Sequence, residues 1–293
     1  MNAGQSAAAG AVVAAHQRTG RRIAVQGVET FLLDRGDGEP VVCVHGVPAS
    51  SFLYRKVLDE LAARGLRGIA FDLPGLGLAD RPRDFDYSWT GLGRYAAAVV
   101  DALDLDRFHL VGHDIGAPVA FELAARRSDR VASLTILNAP VAVGSFRRPL
   151  VMKPFAVPGL GEIYLRAVTP AIFRRLMRWQ GIADRSKITD AELDAYLLLL
   201  RGTDQGRAFL QIMRSFELTQ AKDQLYRRVL RDSGLRVQII WGEADPALPV
   251  ATRGEQARRA ADLPTIHRLP GRHFLQEDNA PALADLIARH VSN

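Results

Sequence analysis

Gly112-His113-Asp114-Ile115-Gly116 lies between an apolar run, Phe108-His109-Leu110-Val111, and a helical stretch from Ala117 to Ala125. A strand that enters a helix through two glycines is the setting of a nucleophile elbow, whose usual form is G-x-S-x-G. The glycines leave room around the central residue, which presents its side chain at the helix N-terminus. Here that residue is Asp114. A serine must lose a proton before it attacks, whereas a carboxylate is already a nucleophile at neutral pH. It suits attack on saturated carbon and forms an alkyl-enzyme ester.

Before the elbow, Ile23-Ala24-Val25 and Glu29-Thr30-Phe31-Leu32-Leu33 pattern as two strands joined near Gly27. Val41-Val42-Cys43-Val44 is a continuous apolar run, as in a strand buried on both faces, and it ends in His45-Gly46-Val47-Pro48. A helix over 51–63, a strand over 66–71 and a helix over 89–103 lead to the elbow, and Val131 to Leu137 follows as another strand. This alternation predicts a doubly wound, mostly parallel sheet of the α/β class. From Val141 to Asp232 helical periodicity replaces it, with Thr189 capping a helix whose apolar face is Leu193, Tyr196, Leu197 and Leu200. Strands over 237–241 and 265–269 and a helix over 280–290 complete the pattern. The expected organisation is a loose tail over 1–20, a core of 21–140 and 233–293, and an inserted helical cap over 141–232. Such an insertion is expected to cover the carboxyl ends of the strands, where sheets of this kind bind ligands.

A chain of 293 residues can bury one large core with an inserted subdomain. No apolar run approaches the roughly 20 residues of a membrane span, and the first 20 residues make a poor signal peptide. The single cysteine, Cys43, excludes an internal disulfide and suits a small core position. A cytoplasmic monomer or homodimer is expected. The net charge of +6 raises nucleic-acid binding. Its arginines are scattered without interleaved aromatics, and the densest group (Arg166, Arg174, Arg175, Arg178) reads as a solvated helix face. No metal-ligand spacing, phosphate loop or dinucleotide fingerprint occurs, so no metal or cofactor is expected.

Two further residues fall on loops at the edge that carries Asp114. Asp245 follows the strand over 237–241, and His273 follows the last strand. Nucleophile, acid and histidine occur in that chain order. His273 would activate water against the ester while Asp245 fixes its tautomer. The backbone N–H groups of Val47 and Ile115 are the expected donors to the oxyanion. Among the other histidines, His45 and His113 flank the site, where backbone support of the two loops is their expected role. Asn138 ends the strand after the elbow helix and, being neutral, cannot serve as the acid.

From Arg22 to the C-terminus the chain resembles the α/β-hydrolase fold, in its aspartate-nucleophile branch of haloalkane dehalogenases and epoxide hydrolases. The motifs that carry the resemblance are His45-Gly46-Val47-Pro48, Asp72-Leu73-Pro74-Gly75-Leu76-Gly77, His113-Asp114-Ile115-Gly116 and His273-Phe274-Leu275-Gln276-Glu277-Asp278. Ser51-Phe52-Leu53-Tyr54-Arg55-Lys56 and the passage from Val168-Thr169-Pro170 to Ala191-Glu192 are similar to the dehalogenase side. The resemblance implies a cofactor-free hydrolase acting on a small apolar organic substrate with water.

Dehalogenases hold the departing halide with a tryptophan directly after the nucleophile and a second donor. That donor is an asparagine after His-Gly or a cap tryptophan. Here those positions carry Ile115, Val47 and Ile163, and Trp179 is a further candidate from the cap. Epoxide hydrolases use cap tyrosines as acids, for which Tyr164, Tyr196 and Tyr226 are candidates, with Met213 where a late cap tyrosine is typical. Dehalogenase-like cleavage is the favoured expectation, epoxide opening the alternative, and a non-catalytic ligand-binding homologue a third. Phe155, Ile163, Leu176, Trp179 and Leu210 are expected to wall the pocket, which predicts a largely apolar, neutral substrate.

Overall fold

The computed structural model describes residues 3–231 and 234–292. The strands are β1 (Arg21–Val25), β2 (Val28–Arg35), β3 (Glu39–Val44), β4 (Leu66–Phe71), β5 (Phe108–His113), β6 (Val131–Leu137), β7 (Arg236–Gly242) and β8 (His267–Leu269). They form one sheet in the order β1-β2-β4-β3-β5-β6-β7-β8, with β2 antiparallel to β1 and β4 and every other pairing parallel. The β1–β2 hairpin turns on Gln26 and Gly27, both at positive φ (51° and 77°), which suits the right-handed twist of the ribbon.

Period-two alternation sorts side chains to two faces. Val42 and Val44 join the larger apolar core while Val41 and Cys43 join the smaller, and Ile239 and Trp241 divide from Ile240 in the same way. The helices are α1 (Ala3–Arg18), α2 (Arg55–Ala62), α3 (Trp89–Ala102), α4 (Gly116–Arg126), α5 (Leu160–Ala167), α6 (Pro170–Leu176), α7 (Asp190–Arg201), α8 (Arg207–Arg214), α9 (Gln220–Arg231), α10 (Glu255–Ala260), α11 (Leu275–Asp278) and α12 (Ala280–Ser292). Side chains of α3 and α4 pack in the larger core and those of α2 and α12 in the smaller.

The region expected to form a helix over 51–63 opens as a 3₁₀ turn, Ser51–Tyr54, before α2. Between β6 and β7 the described residues contain helices and no strand. Thr189 caps α7 as expected: its Oγ1 accepts from the Glu192 N–H at 3.2 Å, and the Glu192 carboxylate accepts from the Thr189 N–H at 2.8 Å. The seam expected at 232–233 lies outside the described residues. No described helix is long and apolar enough to cross a membrane.

The N-terminal segment departs from the expected loose tail. Met1 and Asn2 lie outside the described residues, but Ala3–Arg18 is an alanine-rich helix packed on α7. Ala9 is fully buried, and His16 sits 4.9 Å from the Phe31 ring and 5.1 Å from the Phe52 ring. Composition alone concealed this docking, because the surface that α1 covers is assembled from distant parts of the chain.

Burial lowers the His16 pKa to about 4, below an unfolded value near 6.5. The unfolded chain therefore binds more protons between those values, and stability falls as pH drops from about 6.5 to about 4. His16→Phe keeps the aromatic contacts and removes the titration. Urea unfolding across this window should show a shallower loss for the variant, by up to about 3 kcal/mol at pH 4.

Candidate active site

Asp114 occupies the turn between β5 and α4 at φ 52°. The flanking glycines serve close approach rather than positive φ. A Cβ at Gly116 would lie 2.2 Å from the Val44 carbonyl oxygen, and one at Gly112 would lie 2.6 Å from the Ala117 Cα. A Cβ at Gly46, on the loop after β3, would lie 2.4 Å from Asp114 Oδ1. That loop turns the Val47 N–H toward the same oxygen, and it donates to Oδ1 at 3.0 Å. Ile115, the other expected donor, is buried beside Asp114 and lines the same cavity.

The structure brings the three expected side chains together. His273 Nε2 is 3.7 Å from Asp114 Oδ2, and His273 Nδ1 is 2.8 Å from Asp245 Oδ2. Asp245 is 3% exposed, and its Oδ1 accepts from the N–H groups of Ala247 and Leu248 at 2.8 and 2.9 Å. Asn138 Nδ2 donates to Asp245 Oδ2 at 2.6 Å, while Asn138 Oδ1 accepts from the Gly242 N–H at 3.1 Å. Burial alone would raise the Asp245 carboxyl. The His273 charge and these donors outweigh it and hold the pKa below its ordinary value. For His273 burial works against the cation, yet the Asp245 and Asp114 carboxylates raise its pKa to about 10.

His45 and His113 support backbone as expected. His45 Nδ1–H donates to the Gly46 carbonyl at 2.9 Å, and Nε2 accepts from the Leu73 N–H at 3.0 Å. His113 Nε2–H donates to the His273 carbonyl at 2.8 Å. Burial keeps both rings neutral, with the His113 pKa lowered to about 3.

A cavity of about 110 Å³ opens above Asp114 and His273, walled mainly by apolar residues of the helical insertion. Phe155, Tyr164, Leu176 and Met213 line it as expected. Four other expectations fail. Ile163 and Trp179 are 65% and 54% exposed and turned outward, because each lies on the solvent side of its helical turn. Leu210 is buried among the helices without reaching the cavity. Tyr196 is fully buried behind the cavity, where its hydroxyl donates to Glu277 Oε1 at 2.6 Å. Among the described residues no cluster of three or more His, Cys, Asp or Glu is placed to hold a metal ion.

Residues 39–280 match the family described as the alpha/beta hydrolase fold. The chain belongs to this α/β-hydrolase family. A haloalkane dehalogenase of Mesorhizobium japonicum is 31% identical over 86% of this hydrolase and 84% of its own length. A "haloalkane dehalogenase 2" of Mycobacterium tuberculosis is 39% identical over 36% of this chain and 37% of its own. The solved structure of Cfl2 from Burkholderia cenocepacia superposes with a TM-score of 0.77 at 25% identity, covering 92% of this chain and 94% of that one. Epoxide hydrolase VrEH1 from Vigna radiata shares the fold, with a TM-score of 0.76 at 20% identity over 93% and 97% of the two chains.

Sequence reasoning missed the charged cluster behind the hydrolase site. The Glu277 side chain is fully buried on α11, directly after His273. Arg55 Nη1 donates to its Oε1 at 2.5 Å and Lys56 Nζ lies 2.7 Å from its Oε2, while Arg55 Nη2 also donates to Glu192 on α7 at 2.7 Å. The cluster thereby joins α2, α7 and α11. Its members stand in sequence as separate pieces, Arg55-Lys56, Glu192 and Glu277, and no local pattern pairs them.

Asp245→Asn removes the main anion holding the His273 proton. The imidazole pKa should then fall well below about 10, read from ring nitrogen shifts in an NMR titration.

Proposed function

We propose that this hydrolase cleaves a carbon–halogen bond through a covalent ester at Asp114. The observation that carries the reading is the Asp114 carboxylate on the cavity floor, with Oδ1 held by the Val47 N–H and Oδ2 3.7 Å from His273. An Asp114 oxygen attacks the halogen-bearing carbon, the carbon–oxygen bond forms, and halide leaves with the bonding pair.

Esterification then removes the Asp114 charge. Because that charge helps keep the His273 proton in place, the imidazole pKa drops and the proton passes to solvent. Neutral His273 takes a proton from water as the water oxygen adds to the Asp114 ester carbon. The oxyanion forms beside the Val47 and Ile115 N–H groups. Collapse breaks the ester carbon–oxygen bond, and the departing alcohol regains its proton from His273. The sum is organic halide plus water to alcohol, halide and a proton.

The dehalogenase relative at 31% identity supports halide over epoxide oxygen as the leaving group. The cavity lining also contains one tyrosine, Tyr164, since Tyr196 and Tyr226 are buried elsewhere. An alkoxide needs acid assistance that a halide does not. Tyr164 and Gln180 are the neutral side-chain donors on the lining and so the candidates to meet the halide.

His273→Gln should still be alkylated and should fail to release product. Intact mass after incubation with 1-bromobutane should rise by one alkyl group, and Asp114→Ala should show no adduct. Wild-type bromide release should fall by at least about 10³-fold in either variant. Adducts formed only from epoxides, with no bromide released, would replace this reading with ring opening.

A further inference from the structure

The cavity is apolar apart from a few groups, and one of these has no place in the chemistry above. Arg148 is the only Lys or Arg side chain among the lining residues. Its Nη2 donates to the Met213 carbonyl at 2.9 Å and its guanidinium lies 4.6 Å over the Phe216 ring, another lining residue. Its Nε is shut off from solvent and has no hydrogen-bond partner. No carboxylate among the described residues, Asp114 included, lies within the 4.0 Å of an ion pair. Burial depresses its pKa, and no charged neighbour contributes. A guanidinium nevertheless stays charged.

Arg148 is not alone. Phe146, which also lines the cavity, has Arg253 stacked on its ring at 5.3 Å. Burial and then the Arg147 charge depress Arg253, so these two arginines stand near each other. None of Arg147, Arg148 and Arg253 forms an ion pair with a described residue, and of the three only Arg148 lines the cavity. Uncompensated positive charge at one part of a low-dielectric cleft raises the local concentration of anions. A neutral substrate would cover Arg148 further and leave its N–H edge unpaired, which is costly for a charged group.

We infer that the substrate is an organic monoanion whose carboxylate pairs with Arg148 while an apolar chain places its electrophilic carbon at Asp114. This replaces the neutral apolar substrate expected from sequence with a charged one that keeps an apolar chain, and it rests on the Asp114 chemistry proposed above. A carboxylate matches the single charge of Arg148 and would meet its Nη groups, since Nε is shut off, whereas a phosphate dianion would bring a second charge into an apolar wall. The absence of an Arg148–Asp114 pair sets the acid group apart from the reacting carbon.

The test compares ω-bromoalkanoates with their methyl esters on wild type, Arg148→Met and Arg148→Lys, and measures heptanoate binding by calorimetry. The wild type should favour the acids. Arg148→Met should lose about 10- to 100-fold in kcat/KM for acids with little change for esters, and Arg148→Lys should recover most of the loss. A purely structural clamp to Met213 would weaken both series together and overturn the inference. Heptanoate that binds wild type and Arg148→Met alike overturns it whether or not bromide appears. Heptanoate binding that depends on Arg148, with no bromide from either series, upholds the anchor and sinks the carbon–halogen reading instead.

Discussion

The site depends on how closely the chain after β3 can approach the turn after β5. Gly116 packs on the Val44 and His45 carbonyls, and Gly46 packs on the Asp114 side chain. Neither contact admits a Cβ. The parallel pairing of β3 with β5 brings the two strand ends together, and the Val47 N–H then meets the Asp114 carboxylate. Left-handed backbone at a non-glycine residue costs on the order of 1 kcal/mol or more, so it persists only where neighbours over-determine it. Here the ladder, the two glycine contacts and the Asp114 N–H bond to the Leu137 carbonyl do so. His45 extends the constraint to the next loop through Leu73, and Asp72 extends it to Ser51 and Leu78.

A second set of contacts joins the helical insertion to the histidine. The His273 and Phe274 N–H groups donate to the Gln180 and Gly181 carbonyls, and Arg272 donates to the carbonyls of Arg178 and Trp179. Four residues on, Glu277 gathers Arg55, Lys56 and Tyr196. Burying these charges costs several kcal/mol per ion, offset only where geometry is good and every lone pair is used. Such a cluster does less for stability than for position. It sets α11, and with it the His273 loop, against α2 and α7.

Much of this was legible in the sequence, for local reasons. Apolar runs of four to six residues marked β3 and β5, glycine spacing marked the elbow, and Thr189 with Glu192 marked the start of α7. The order of Asp114, Asp245 and His273 followed from each standing just past a strand, and the parallel sheet gathers such ends at one edge. The insertion was legible only as helix. Which face each helix turns inward depends on neighbours distant in sequence, and so Ile163 and Trp179 were assigned to the wall they do not form. Helix α1 escaped for the same reason.

The sequence by itself determined the fold class and the order in which Asp114, Asp245 and His273 follow their strands, because strand, turn and helix signals act over a few residues and the parallel sheet does the rest. The tertiary structure decided what surrounds them. It placed Asn138 against Asp245, Tyr196 against Glu277, and an unpaired Arg148 on the cavity wall. Those contacts are set by packing between distant segments, and charge compensation or its absence is a property of the assembled cavity that no local pattern encodes.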